Sequence, residues 1–188
     1  MDESLKTRLD RALEIFADRP ALWVALRAVC DHPHQVLKVE TPYVGVGEAK
    51  NLEASLLGVS ALESGALAYT EHMRHFTSRG EKWRFLKVFD RRVVQCDDND
   101  ANRFVAFFVR SSLKLLKQLS FAAAADDTRC DYFQEILHLV RRMNLVLDAL
   151  SPTFKYARLR VLPLDNQLLQ FHPQYHVILE SYLACESL

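Results

Sequence analysis

A chain of 188 residues is long enough to bury a core of its own, and a composition 49% hydrophobic and 26% charged excludes wholesale disorder. Lys and Arg number 24 and Asp and Glu 24, so the formal charge of zero removes any global argument for a nucleic-acid or membrane-surface binder and leaves that work to local patches. Cys30, Cys96, Cys130 and Cys185 form no CxxC pair and the N-terminus MDESLKTRLD lacks the apolar core of a signal peptide, which reads as a cytoplasmic chain with reduced thiols; no apolar run approaches the ~20 residues of a membrane span.

The first element is helical, because Leu5, Leu9, Ala12, Leu13 and Phe16 recur at the three-and-four spacing that lines one helix face. Asp18, two residues ahead of Pro20, is the expected cap of a second helix carrying Leu22, Trp23, Leu26 and Val29. Together they predict a helical hairpin over residues 1–34, ended by DHPH. From Gln35 the text QVLKVETPYVGVG is strand and turn material. LAYTEHMRHF contains no breaker and predicts a helix from about Ala66 to Phe76. After a turn at SRGE, WRFLKVF and RRVVQC read as a short strand pair or one bent strand.

Two long amphipathic helices follow. In the first, Phe104, Phe108, Leu115 and Leu119 share a face, with Arg103, Arg110, Lys114 and Lys117 in a stripe away from it. In the second, Phe133, Ile136, Leu137, Val140 and Leu147 make the apolar face until Ser151 and Pro152 stop it. Asn144 falls inside that face, so its amide is expected to meet a polar group across the helix packing. FKYARLRVLPL then leads to a last helix near HPQYHVILESYL. The fold class is mostly α with a minor β component, an α+β arrangement of helical hairpin, short strands and a bundle of amphipathic helices, the mixed strand/helix domain running from 35 to 188.

Between strands and helices stands DDNDANRFVAFF, residues 97–108. Its carboxylates suit a hard cation, but the stretch lacks the central glycine and closing glutamate of a calcium loop. Helix capping is the better reading: Asp98, Asp100 and Asn102 are expected to satisfy orphan N–H groups and favour the positive end of a helix beginning near Arg103.

Asp98, Asn102, Arg103, Phe104 and Val105 also carry a resemblance. DDNDANRFVAFFVRSSLKLLKQL is similar to the signature segment of the uncharacterised domain that precedes the nuclease domain in McrC-like subunits of restriction and phage-defence systems, where an Asp, a few residues and then Asn-Arg-Phe open a long helix. A typical member has Pro-Glu before that triplet, where this chain has Asp100 and Ala101. Pro163, Asn166, Leu169, Pro173 and Tyr175 fill the places of the family's closing segment, and the resemblance spans about residues 35–185. It implies a non-catalytic interaction module that binds a protein partner, such as an AAA+ motor or nuclease subunit, with weak DNA contact as a further role. Two other readings stay open: the N-terminal part of a PD-(D/E)XK nuclease whose catalytic domain is absent from this chain, and a small helical DNA-binding protein.

Remaining constellations are thinner. For DNA the candidates are Arg84, Lys87, Arg91 and Arg92, interleaved with Trp83, Phe85 and Phe89, together with Arg158 and Arg160 of KYARLR; basic residues alternating with aromatics suit phosphates and bases, and equally suit a strand with one charged face. Glu48 and Lys50 of GEAK make half of a nuclease motif, without an Asp-bearing strand before it. Cys30, His32 and His34, and His172 with His176, are each half of a zinc site, yet no paired thiols complete a tetrahedral set. No nucleophile elbow and no phosphate-cradling glycine loop is present, so neither a catalytic residue, a metal nor a cofactor is assigned.

Overall fold

In the computed structural model, residues 3–70, 76–78, 81–125 and 130–186 are described. The first helix, α1 (Glu3–Phe16), buries Leu9, Ala12, Ile15 and Phe16. The second, α2 (Pro20–Asp31), opens on a proline, whose missing N–H costs nothing in a first turn, and buries Leu22, Trp23, Ala25, Leu26 and Val29. Its cap position is Arg19, which supplies no side-chain bond, so the expected cap at Asp18 is not used.

The chain forms two compact units, Met1–Val36 joined with Asp97–Leu188, and Leu37–Cys96. The sequence reading divides it otherwise, into 1–34 and 35–188. The hairpin's buried stripe explains the difference: α1 and α2 close their apolar faces against helices from the far end of the chain, so the first and last segments share one core and the strand-rich middle forms a second unit.

The helical unit is built around α4 (Asp100–Ala124), α5 (Cys130–Ala149) and α8 (Pro173–Cys185), with short helices α6 (Pro152–Lys155) and α7 (Gln167–Phe171) between the last two. The face of α4 holds Phe104, Phe108, Leu116 and Leu119 in the core, with Leu115 at its margin. Phe104 meets Tyr182 of α8 edge-on, with centroids 5.4 Å apart. On α5 the core stripe is Ile136, Leu139, Val140 and Met143, while Phe133, Leu137 and Leu147 are only partly buried. The stripe is therefore rotated from the expected one, and Asn144 lies beside it; its Nδ2 donates to Val140 O of the same helix at 3.0 Å rather than across the packing.

The second unit holds three small sheets: β1 (Val36–Glu40) with β7 (Arg92–Cys96), β2 (Tyr43–Gly45) with β6 (Lys87–Phe89), and β5 (Glu81–Phe85) between β3 (Leu67–Tyr69) and β4 (Phe76–Ser78). A helix, α3 (Ala54–Ser60), packs on β6, and the Ser60 hydroxyl accepts the Phe89 N–H at 2.8 Å while donating to Leu56 O at 2.6 Å. Two expectations are corrected. Leu67–Tyr69 is strand, not helix, introduced by Gly65 at a φ of 76° and paired antiparallel with β5; residues 71–75 of that expected helix lie outside the described residues. WRFLKVF and RRVVQC do not pair with one another, because β5, β6 and β7 belong to three different sheets. The class stands as read, mostly α with a minor antiparallel β component.

Candidate functional site

Helix α4 begins at Asp100, and its cap is Asn99, whose Oδ1 accepts the Asn102 N–H at 3.0 Å. The expected caps have other work. Asp98 grips the Arg103 guanidinium with both oxygens, at 2.6 and 2.7 Å, the fork geometry that makes arginine–carboxylate pairs strong. Asp100 sits in the first turn, where its charge suits the helix dipole. Asn102 is wholly buried.

That buried amide is fully engaged as a donor. Its Nδ2 donates to His34 O at 2.9 Å and to Asp97 O at 2.6 Å, and its Oδ1 accepts the Tyr175 hydroxyl, which in turn accepts the His34 N–H at 3.0 Å. Asn99 Nδ2 adds a second bond to His34 O at 2.8 Å. The node ties the end of the hairpin to α4 and α8. Burial raises the Tyr175 pKa, against the smaller lowering by the His34 N–H, so its proton is available to donate throughout the neutral range. The closing segment takes part as well: Asn166 Oδ1 caps α7 through Leu168 N–H at 2.9 Å, Leu169 is buried, and Pro173 opens α8. The two stretches that carry the resemblance thus meet at Asn102 and Tyr175.

The six basic candidates are divided between the units. In the strand-rich unit Arg84 is exposed on β5 while its neighbours Trp83 and Phe85 are half-buried, the alternation of a strand with one apolar face. Lys87 stands over the Tyr43 ring at 5.9 Å. Arg91 pairs with Glu53 at 2.9 Å. Arg92 pairs with Asp90 at 2.6 Å and also donates to Glu48 O at 3.1 Å. Arg158 and Arg160 are exposed in the helical unit, between α6 and α7.

Asp90 is the residue that sequence reasoning missed. Its carboxylate is buried and accepts the N–H groups of Lys50 and Asn51, at 3.1 and 2.7 Å, besides Arg92. Burial by itself would raise its pKa, but the Arg92 bond and the two backbone N–H groups outweigh that and hold it below its ordinary range. An aspartate therefore does stand beside the Glu48–Lys50 pair, with its oxygens already committed to a turn. The only signal in the sequence was its place before two arginines.

Among the described residues no group of three or more His, Cys, Asp and Glu is arranged to hold a metal ion. Cys30 lies part-buried with Sγ 3.8 Å from Val146 O, its thiol pushed up to about 11 by burial and then by Asp31, which keeps it protonated and unreactive. His176 faces Glu180 on its own helix at 3.3 Å, and His172 stacks edge-on with Tyr175.

One surface feature of the helical unit is shaped for contact. Trp23, Arg27, Cys30, Arg142, Leu145, Val146 and Ala149 line a cleft of about 370 Å³ between α2 and α5. Trp23 is fixed by an indole bond to Phe16 O at 2.6 Å, and the Arg142 guanidinium lies 4.0 Å over its ring. Leu145 on the rim is 70% exposed. No helix among the described residues is long and apolar enough to cross a membrane. No family model matches the chain, no curated protein matches it, and no solved structure matches it.

Proposed function

We propose that this chain is a non-catalytic interaction module of a bacterial restriction or phage-defence system, of the kind that precedes the nuclease domain in McrC-like subunits, and that it docks a partner subunit such as an AAA+ motor or a nuclease. The cleft between α2 and α5 is the observation that carries this reading. A fixed Trp23 under Arg142, with Leu145 standing free beside them, has the make-up of an interface centre: a rigid aromatic, an arginine and an apolar anchor. Arg27 is paired with Asp31 at 3.4 Å, so the charge left at this cleft is that of Arg142, and the complementary segment of the partner is an apolar face with an acid placed to meet it. The meeting of Asn102 with Tyr175 supports the resemblance itself, since it gives a physical reason for the two matching stretches to occur together.

The test is titration calorimetry of the chain against any motor or nuclease subunit that its native host encodes beside it. Binding by one of them, weakened by roughly tenfold or more in Leu145→Asp, is the expected result, because a buried charge at an interface centre is costly. Full affinity in Leu145→Asp would displace the cleft from the interface, and no binding to any neighbouring subunit would overturn the reading.

A further inference from the structure

On α4, Arg110, Lys114, Lys117 and Phe121 follow at spacings of four, three and four, which sets them in one stripe about 16 Å long. With Leu113 and Gln118 they line an open cleft of about 360 Å³ whose described lining contains three cations and no acid. Phe121 is 76% exposed, so a large aromatic ring stands in solvent beside those cations. Arg110 continues the surface in a second direction. Its guanidinium donates to Lys155 O and, at 3.2 Å, to Ala157 O, which fastens the segment after α6 beside α4. Tyr156 in that segment is 72% exposed, and the exposed Arg158 and Arg160 follow it.

We infer that this surface binds single-stranded nucleic acid. Lys114 and Lys117, with Arg158 and Arg160, meet the phosphates, Phe121 and Tyr156 offer faces for unpaired bases, and Arg110 is a positioning residue that holds the two halves together. A stripe of that length suits a few nucleotides. A duplex keeps its bases stacked inside and has no use for exposed rings. An acidic protein segment would want an enclosed apolar socket, whereas here the floor is the single Leu113 and the rings stand at the rim. The site does not draw on Arg91 and Arg92, whose charges are already paired with Glu53 and Asp90. It is also independent of the partner reading, since its residues are not those of the cleft between α2 and α5.

The experiment is fluorescence anisotropy of the full chain with labelled oligothymidylate of about 20 nucleotides, across roughly 50 to 200 mM salt. Binding that falls steeply with salt is expected, weakened more than about tenfold by Lys114→Glu with Lys117→Glu. In Lys114→Ala and Lys117→Ala the salt slope should drop by about 1 for each phosphate that is no longer neutralised. Phe121→Ala is expected to weaken binding about fivefold with the salt slope unchanged, since stacking releases no counterions. Lys6→Glu with Arg8→Glu on α1 makes the same change of net charge elsewhere and should leave affinity within about twofold. All these side chains are exposed, and melts matching the parent chain establish folding. No binding at the lowest salt, or parental binding by the Lys114→Glu, Lys117→Glu chain, overturns the assignment. Equal binding of duplex with no effect of Phe121→Ala, or binding of oligoglutamate in place of oligothymidylate, overturns it in favour of those ligands.

Discussion

Asn102 is an architectural residue, wholly buried and bonded to three segments. A primary amide has two hydrogens and a carbonyl, and here each is used by a different segment, so Ala at this position leaves the buried Tyr175 hydroxyl without its acceptor, while the Asp97 carbonyl keeps the Asn99 N–H at 3.1 Å. His34 O keeps its bond from Asn99. Asn102→Ala is therefore expected to cost about 1–3 kcal/mol in denaturant unfolding. Asn99→Ala removes the cap of α4 and should cost about 1 kcal/mol. Phe104→Ala, which empties a ring site wholly within the core, should cost about 3–5 kcal/mol. An Asn102→Ala chain as stable as the parent would show that the node is dispensable. The sequence made the helix start legible through its acids and amides, but which of Asp98, Asn99 and Asn102 caps the helix depends on which way each short side chain turns. That choice is made by His34 and Tyr175, which are distant in sequence.

Among the elements, α1, α2 and α4 were legible because a periodic apolar stripe is a property of the local text. The stripe of α5 was read a fraction of a turn off, since Leu137 and Leu147 compete with Leu139 and Met143 and only the packing partners decide. Strand β3 was missed for a related reason: LAY is as compatible with helix as with strand until β5 pairs with it. The turn around Asp90 yields a pH test. Its folded pKa lies below the ordinary 3.8, so the charge contributes stability that is present above 3.8 and is lost as pH falls through the lower folded value. Asp90→Asn is expected to melt below the parent at neutral pH, and the two should converge in acid beneath 3.8 as the parent's carboxylate takes up its proton. A gap of constant size down to the acid limb would remove Asp90 from the pH dependence.

At the scale of the molecule, the first 36 residues and the last 92 make one helical unit and the middle makes a strand-rich one. No reading in chain order reveals this, because the apolar faces of α1 and α2 do not name the helices that will cover them. With a formal charge of zero, the features left to consider are local surfaces: an aromatic–arginine cleft between α2 and α5, and a cationic stripe on α4. The six basic residues picked from the sequence divide between the units, and along β5 the alternation leaves Arg84 exposed between the half-buried Trp83 and Phe85. The central claim is that the cleft between α2 and α5 docks a partner subunit. The most direct test is amide hydrogen exchange of the chain alone and mixed with the subunit proposed to dock there, a motor or nuclease encoded beside it in the native host. The expected result is new protection on α2 and on the Arg142–Ala149 half of α5 in the mixture, abolished in Leu145→Asp. Protection confined to other segments, or none, would contradict it.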